Sequence, residues 1–435
     1  RGNLRETDGL SFDEIRRRGE ELWETELSRF TVEGPARTKE TFYTSAYRCF
    51  LSPFLFQDAD GRFLEHDKSI GRAEGFTNYT TFSLWDTYRA YHPLLNLIRQ
   101  DMSADIANSM LRHYDRSVEH MLPIWSFYGN ETWCMIGYHA VSVLADMIVK
   151  QLPGFDYERA FEAMKRTATN PHYDCLPEYT SLGWVPFDKE RESVSKTLEY
   201  AYDDYCIAQM AKGLGHMEDY RVLMDRSRNY RNLYNPQTGF FQARRSSGEW
   251  DADDVGFTEG ANWTYRFCVM QDVPGLIELM GGRDAFVKAL DENFDKGHYR
   301  HDNEPGHHYV YLYAHCDRLD KIQTRLPGIL AANYRNSPDG LSGNDDLGQM
   351  SAWYIFSVMG FYPLTPASGE YALGIPAFEE FELALSNGNR LKIVARDRKK
   401  HQTMEVVRFN GKRLDRPFIP VREIMQGGVL EFSTK

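Results

Sequence analysis

Two adjacent acids lie between glycines in Gly343-Asn344-Asp345-Asp346-Leu347-Gly348, immediately before an apolar run from Gln349 to Met359 that reads as a helix. Glycines let the backbone turn sharply, and a helix N-terminus stabilises negative charge. Carboxylates placed there can stay ionised in a cleft and act as a base or as metal ligands. An ordinary N-cap would show the same pattern. A third acid, Glu259, lies among aromatics in Gly256-Phe257-Thr258-Glu259-Gly260-Ala261-Asn262-Trp263, and a fourth, Glu304, in Asn303-Glu304-Pro305-Gly306-His307-His308-Tyr309. Acids bedded separately in aromatic residues suggest a sugar-cleaving cleft, where ring faces stack on sugars and carboxyls move protons.

Other motifs carry two readings each. Thr80-Thr81-Phe82-Ser83-Leu84-Trp85-Asp86-Thr87-Tyr88-Arg89 puts Trp85, Asp86 and Arg89 within one helical turn. Asp86 could accept bonds from sugar hydroxyls while Arg89 neutralises it, or the two could form an ordinary ion pair at a helix start. In Gly129-Asn130-Glu131-Thr132-Trp133-Cys134, Asn130 could cap the following helix while Glu131 and Trp133 face a cleft, or the segment is a cap alone. Asp203-Asp204 lies inside a helical pattern and is similar to the magnesium-binding acids of terpene cyclases, but no second metal motif accompanies it. Asp58-Ala59-Asp60-Gly61-Arg62 opens like a calcium loop, lacks the downstream bidentate Glu, and reads as a plain turn. Around Glu304, His307 and His308 neither HExxH nor its inversion is present, which argues against zinc. Glu304 before Pro305 instead suits a hard cation such as calcium.

Helices must position most of these residues. Ser11 with Glu14 three residues on reads as a capping box that starts an amphipathic helix. Helical patterns follow at about 39–51, 84–101, 104–121, 132–151, 157–168, 194–214, 217–231, 283–293, 307–331 and 347–360. Long polar connections, which are uncommon in compact domains unless functional, lie between them. The fold class expected is mainly α: an (α/α)6 barrel, a toroid of helical hairpins with its long loops on one side, over residues 1–363. Residues 364–435 alternate with period two and contain Asn410-Gly411, a good hairpin turn, so a β-rich segment packed on the barrel is expected there.

The 435 residues carry a formal charge of −12, which argues against nucleic acid and anionic membranes as partners. Six scattered cysteines without a CxxC spacing exclude a zinc cluster or a thioredoxin-type motif, and most are expected to be buried thiols. No run approaches the roughly eighteen apolar residues of a membrane span, and the first residues, Arg1 to Asp8, are polar and charged, so no signal peptide is expected within this numbering. A mature secreted, periplasmic or cell-surface protein is the expectation.

Taken together, YTTFSLWDTYRAYHPL, GNETWCMIGYHAV, VSKTLEYAYDDYCIAQMAKGLG, FTEGANWTY, DVPGLIELMGG, NEPGHHYVYLY and GNDDLGQMSAWYIFSVMGFYPL resemble the motifs of glycoside hydrolase family 92, the calcium-dependent exo-α-mannosidases, in order from about residue 79 to 364. The resemblance implies the (α/α)6 catalytic domain and an inverting mechanism in which Ca2+ binds two hydroxyls of the terminal mannose of N-glycans or mannan oligosaccharides, with α-1,2 linkages favoured. Matched motif to motif, Glu259 falls on the general acid and Asp346 on the general base. Asn344 stands where some members carry a further Asp. Glu304 matches a calcium-site residue, with Asn303 beside it. Trp85, Asp86, Arg89, Glu131, Trp133, His307 and His308 are the candidate substrate contacts. Family members usually carry a β-sandwich before the helical domain, so a partner chain or fragment completing the cleft is expected. Rival readings are a glucoamylase-type α-glucosidase on the same barrel and a non-catalytic glycan-binding remnant.

Overall fold

The computed structural model describes residues 2–395 and 403–434. The fold is mainly helical, with sheet gathered toward the C-terminus. Six segments form an inner layer: Tyr91–Ile98, Ala140–Val149, Ser193–Leu214, the stretch holding Asn262–Tyr265 and Met270–Asp272, the 3-10 turns Glu304–Gly306 and Tyr309–Cys316, and Gln349–Met359. Side-chain hydrogen bonds join them in a closed circuit. Asn96 donates to Asp146 at 2.7 Å, and the Ser142 and Tyr202 hydroxyls meet at 2.8 Å. Thr258 N–H donates to Ser195 Oγ at 2.9 Å, and Tyr265 holds the Thr258 carbonyl at 2.8 Å. Phe267 N–H reaches the Tyr309 hydroxyl at 3.2 Å, and Tyr311 meets Ser357 at 2.7 Å. Gln349 closes the ring by accepting from Ala90 and Tyr91 N–H at 2.9 and 3.2 Å.

Outside this ring lie Ala36–Arg48, Gln100–Arg116, Tyr157–Thr167, Met217–Arg226, Arg283–Asp295 and Leu319–Asn333. The two layers differ in sequence for a physical reason. An inner helix is covered on every side, so all eleven residues of Gln349–Met359 are buried. An outer helix buries one stripe, as Tyr157–Thr167 does through Ala160, Phe161, Ala163, Met164 and Thr167. Ser11 and Glu14 form the expected reciprocal capping box on Phe12–Leu27. Of the six cysteines, all of them free thiols, four are buried, Cys175 is half-buried and Cys134 is exposed.

Several expected elements differ. The pattern at 84–101 breaks into Leu84–Thr87 and Tyr91–Ile98, because Gln349 takes the N–H groups of Ala90 and Tyr91 and leaves the second piece to start afresh. The pattern at 307–331 breaks at Asp317, which takes a left-handed backbone conformation (φ 56°). The helix expected from 132 starts at Ala140. Asn130 lies in the two-stranded hairpin Ser126–Phe127/Asn130–Glu131 and caps no helix. Asp58 to Arg62 is a turn, closed by Gly61 N–H on the Asp58 carbonyl at 2.8 Å.

The C-terminal segment forms a six-stranded sheet ordered Phe30–Glu33, Glu380–Ala384, Arg390–Val394, Gly428–Ser433, Val406–Phe409 and Lys412–Arg413, antiparallel except where Arg390–Val394 meets Gly428–Ser433. Its first strand comes from ahead of the helices, and Phe30 packs edge-on against both Phe42 and Phe381, which seats the sheet on the outer helix Ala36–Arg48. A smaller sheet of Phe361–Tyr362, Glu370–Leu373 and Phe418–Pro420 continues directly from the last inner helix.

Candidate active site

Three acids from separate inner segments converge. Asp86 lies on the short helix Leu84–Thr87 just ahead of Tyr91–Ile98, Glu304 opens the turn Glu304–Gly306, and Asp346 precedes Gln349–Met359, so all three sit at or just before the starts of inner elements. One carboxylate oxygen from each lies within 4.8 Å of the others. Asp86 and Glu304 are 3 % and 1 % exposed.

Local backbone geometry aims Asp346. Asp346, Leu347 and Gly348 all have positive φ (46°, 57° and 96°), a run that non-glycine residues rarely adopt. Gly348 permits it: a Cβ there would meet the Tyr91 ring at 2.9 Å. Asp345 serves the structure, accepting from Ser351 N–H at 3.0 Å and Ser351 Oγ at 2.7 Å and so tying the turn to its helix. The adjacent acids are thus divided between a cap and a site. Glu259, at φ 48°, also rests on a left-handed residue.

The cluster resists ionisation. Burial, then the charge of Asp346, pushes the Asp86 carboxyl up to about 8 against the bond it receives from Ser83. Burial, then Asp86 and Asp346, holds Glu304 well above the usual carboxylate range. Asp346 is raised by burial, then by Asp345 and Glu259, so Glu259 is near enough for its charge to be felt. Neither buried oxygen of Glu304 has a hydrogen-bond partner. Buried carboxylate oxygens without donors are costly unless something positive meets them. Converging hard oxygens left in this state fit a hard cation such as calcium.

Beneath the cluster lies a charged support. Trp85 Nε1 donates to Glu199 at 3.1 Å, and the Arg89 guanidinium lies 3.5 Å from the same oxygen and over the Tyr88 ring. His139 sits between Glu199 and Asp203, 3.4 and 2.8 Å from their oxygens. Trp85 and Arg89, expected at the sugar, are 1 % and 3 % exposed and brace the floor. His307 and His308 are buried as well: His307 contacts the His301 carbonyl and Gln349, and His308 the Phe267 carbonyl. Glu131 is also turned inward and holds its own loop, accepting from the N–H groups of Ile124, Trp125 and Trp133. Trp133 is exposed, at φ 56°. Asn344 is exposed beside the acids. Asn303, expected at the metal, donates to Glu259 Oε2 at 3.1 Å and accepts from Glu304 N–H at 3.0 Å. Asp203 and Asp204 form no metal pair: Asp203 accepts from Tyr138 N–H, and Asp204 is bound by Arg226 and Tyr179. Sequence reasoning missed Glu199, His139, Ser83 and Gln349, whose local sequences carry no signal beyond helical or turn pattern.

Comparison with known proteins accords with this geometry. The model of the glycosyl hydrolase family 92 catalytic domain matches residues 1–435. A solved family GH92 alpha-mannosidase from Bacteroides thetaiotaomicron superposes with a TM-score of 0.97 at 53 % identity, covering 100 % of this chain and 60 % of that one. Its complex with mannoimidazole gives 0.96, with 61 % of that chain covered. An inverting GH92 mannosidase from Bacteroides thetaiotaomicron VPI-5482 gives 0.92 at 32 % identity, covering 99 % and 63 %. Among curated proteins, a chain from Arthroderma benhamiae described as an uncharacterized secreted glycosidase is 25 % identical over 97 % of this chain. The present chain spans 56 % of that fungal relative, so both it and the first of the solved structures extend well beyond the matched region.

Proposed function

The chain belongs to glycosyl hydrolase family 92, and on that premise we propose that it is a calcium-dependent exo-α-mannosidase, releasing terminal mannose with inversion from mannose-capped glycans or mannan oligosaccharides, α-1,2-linked ones included. The observation that carries this reading is the convergence of Asp86, Glu304 and Asp346 with Glu259 close by. The names of its solved relatives, mannosidases with one described as inverting, support it. Action outside the cell or in the periplasm is part of the reading, in keeping with the fungal relative's description as secreted.

In this mechanism Glu259, the exposed acid, gives its proton to the glycosidic oxygen, and Asp346 takes a proton from the water that attacks the opposite face. An inverting pair needs room for that water, with carboxyls roughly 6.5–9.5 Å apart. Asp86 and Glu304, with Asp346 alongside, are the carboxylates proposed to hold calcium, and Asn344 assists Asp346 from the rim. When bound, the ion supplies positive charge that a vicinal pair of sugar hydroxyls can bind in place of water. The arginine, tryptophan and glutamate beneath keep this floor rigid and dry.

The test is mannose release from α-mannobioses with calcium and with EDTA, following the anomer by proton NMR. β-Mannose released only with calcium is expected. Initial release of α-mannose would overturn inversion, and chelator-insensitive release of glucose from α-glucosides would favour the glucoamylase-type reading.

Calcium binding should also depend on pH. A carboxyl raised to about 8, as Asp86 is, holds its proton at neutral pH, and the ion must displace it. Apparent affinity is therefore expected to rise about tenfold or more per pH unit from pH 6 to 8. Calorimetric titrations in buffers of different ionisation enthalpy should show at least one proton released per ion at pH 7. Equal affinity at pH 6 and pH 8 would contradict this.

A further inference from the structure

The structure assigns Asn303 to the acid rather than to the cation: we infer that it is a positioning residue that fixes the Glu259 carboxyl and links it mechanically to Glu304. The inference rests on the reading of Glu259 as the general acid.

Both ends of the Asn303 amide are committed. Its oxygen accepts from the Glu304 backbone N–H at 3.0 Å, which settles which end is nitrogen. The nitrogen then points across to Glu259, 3.1 Å from Oε2 and 3.5 Å from the backbone carbonyl. Among the described residues no other side chain hydrogen-bonds the Glu259 carboxyl. The loop backbone is tied on either side of Glu259, by the Gly256 carbonyl accepting from Val194 and Ser195 N–H, by Thr258 N–H on Ser195, by Ala261 N–H on Thr264 and by Asn262 N–H on Asp254, bonds that leave the Glu259 side chain itself unconstrained. Glu259 itself is solvent-exposed, so its rotamer has little packing to define it. A proton donor must be held in line with the departing oxygen, and a misplacement of an ångström can be costly. Because Asn303 and Glu304 are consecutive, the residue that orients the acid is one peptide away from a deeply buried member of the carboxylate cluster.

Three roles for Asn303 can be separated by one variant. Asn303→Asp keeps an oxygen for the Glu304 N–H, removes the donor to Glu259, and offers a cation a better ligand. If Asn303 only caps the turn, this variant shifts the pH profile, because a second carboxylate then faces Glu259, but keeps wild-type kcat at its own optimum. If it is a calcium ligand, activity is retained and calcium binds at least as tightly. If it orients the acid, kcat on α-mannobiose falls about 10- to 100-fold while KM stays within about threefold. Release from 2,4-dinitrophenyl α-mannoside, whose leaving group needs no proton, then falls less than about threefold. The third outcome is expected, for Asn303→Ala as well, with calcium affinity not weakened in Asn303→Asp. Equal losses on both substrates, or wild-type kcat in the Asp variant at its own pH optimum, would overturn the inference. Glu259→Gln in the same panel separates the two levels. If it lacks leaving-group dependence, the acid assignment fails and the inference with it. If it shows that dependence and the Asn303 variants do not, only the role of Asn303 fails. Should Asn303→Ala unfold, Asn303→Asp carries the test.

Discussion

Replacing Glu259 by glutamine is expected to lower kcat/KM on α-mannobiose by about 10²–10⁴-fold, roughly 3–5 kcal/mol of transition-state stabilisation. Glutamine preserves the size of the side chain and leaves an oxygen for the Asn303 amide, so the loop should remain in place. What is lost is the proton. Hydrolysis of mannosyl fluoride or a dinitrophenyl mannoside, which departs without protonation, should therefore fall less than about tenfold. Equal losses on the two substrate classes would mean that Glu259 contributes binding or shape and that the acid lies elsewhere. Calcium affinity should be unchanged, because Glu259 stands outside the set Asp86, Glu304 and Asp346.

Glu304→Gln should largely remove the stabilisation by calcium. A carboxyl whose pKa rises on folding has its full stability below its unfolded value and loses it as pH climbs toward the folded value. Glu304 is such a group, and at pH 8 the metal-free wild type bears that cost while glutamine does not. In EDTA at pH 8 the variant is expected to be more stable by about 1–3 kcal/mol, since one repelling carboxylate becomes a donor to the other two. Wild type should gain about 4 kcal/mol at a thousandfold excess of calcium over Kd, and the variant little. The two melting curves therefore exchange order between EDTA and calcium, and the variant's activity should fall at least about 10³-fold. A variant less stable than wild type in EDTA would show that Glu304 is satisfied without an ion.

The outer helices and the acids were the legible parts of this molecule. Amphipathic stripes such as Tyr157–Thr167 declare themselves because one face meets water. The turn Tyr309–Cys316 is buried along nearly its whole length, so its pattern runs without a break into the next helix, and only the left-handed Asp317 separates them. Two-residue strands such as Phe54–Leu55, paired with Tyr79–Thr80, are too short to alternate visibly. The paired acids show the same limit at the site. Asp345-Asp346 and Asp203-Asp204 look alike as dipeptides. One pair lies in a left-handed turn that splits its members between a cap and a cleft, and the other lies mid-helix, where both members are absorbed by His139, Tyr138, Tyr179 and Arg226. Candidate sugar contacts such as Arg89 and His307 are buried, which no local pattern could show, because exposure depends on which elements close over a residue.

The strand Phe30–Glu33 pairs with Glu380–Ala384, roughly 350 residues further along the chain. A ribosome delivering about 5–20 residues per second needs roughly 20–70 s to pass from the first strand to that partner, which follows the last inner helix, Gln349–Met359. The first strand must therefore wait unpaired, an open sheet edge for tens of seconds, until the last segment emerges to cover it. This stitch between early and late chain places one pairing of the sheet at a very long sequence separation, so closing the sheet's edge should be a late step of folding.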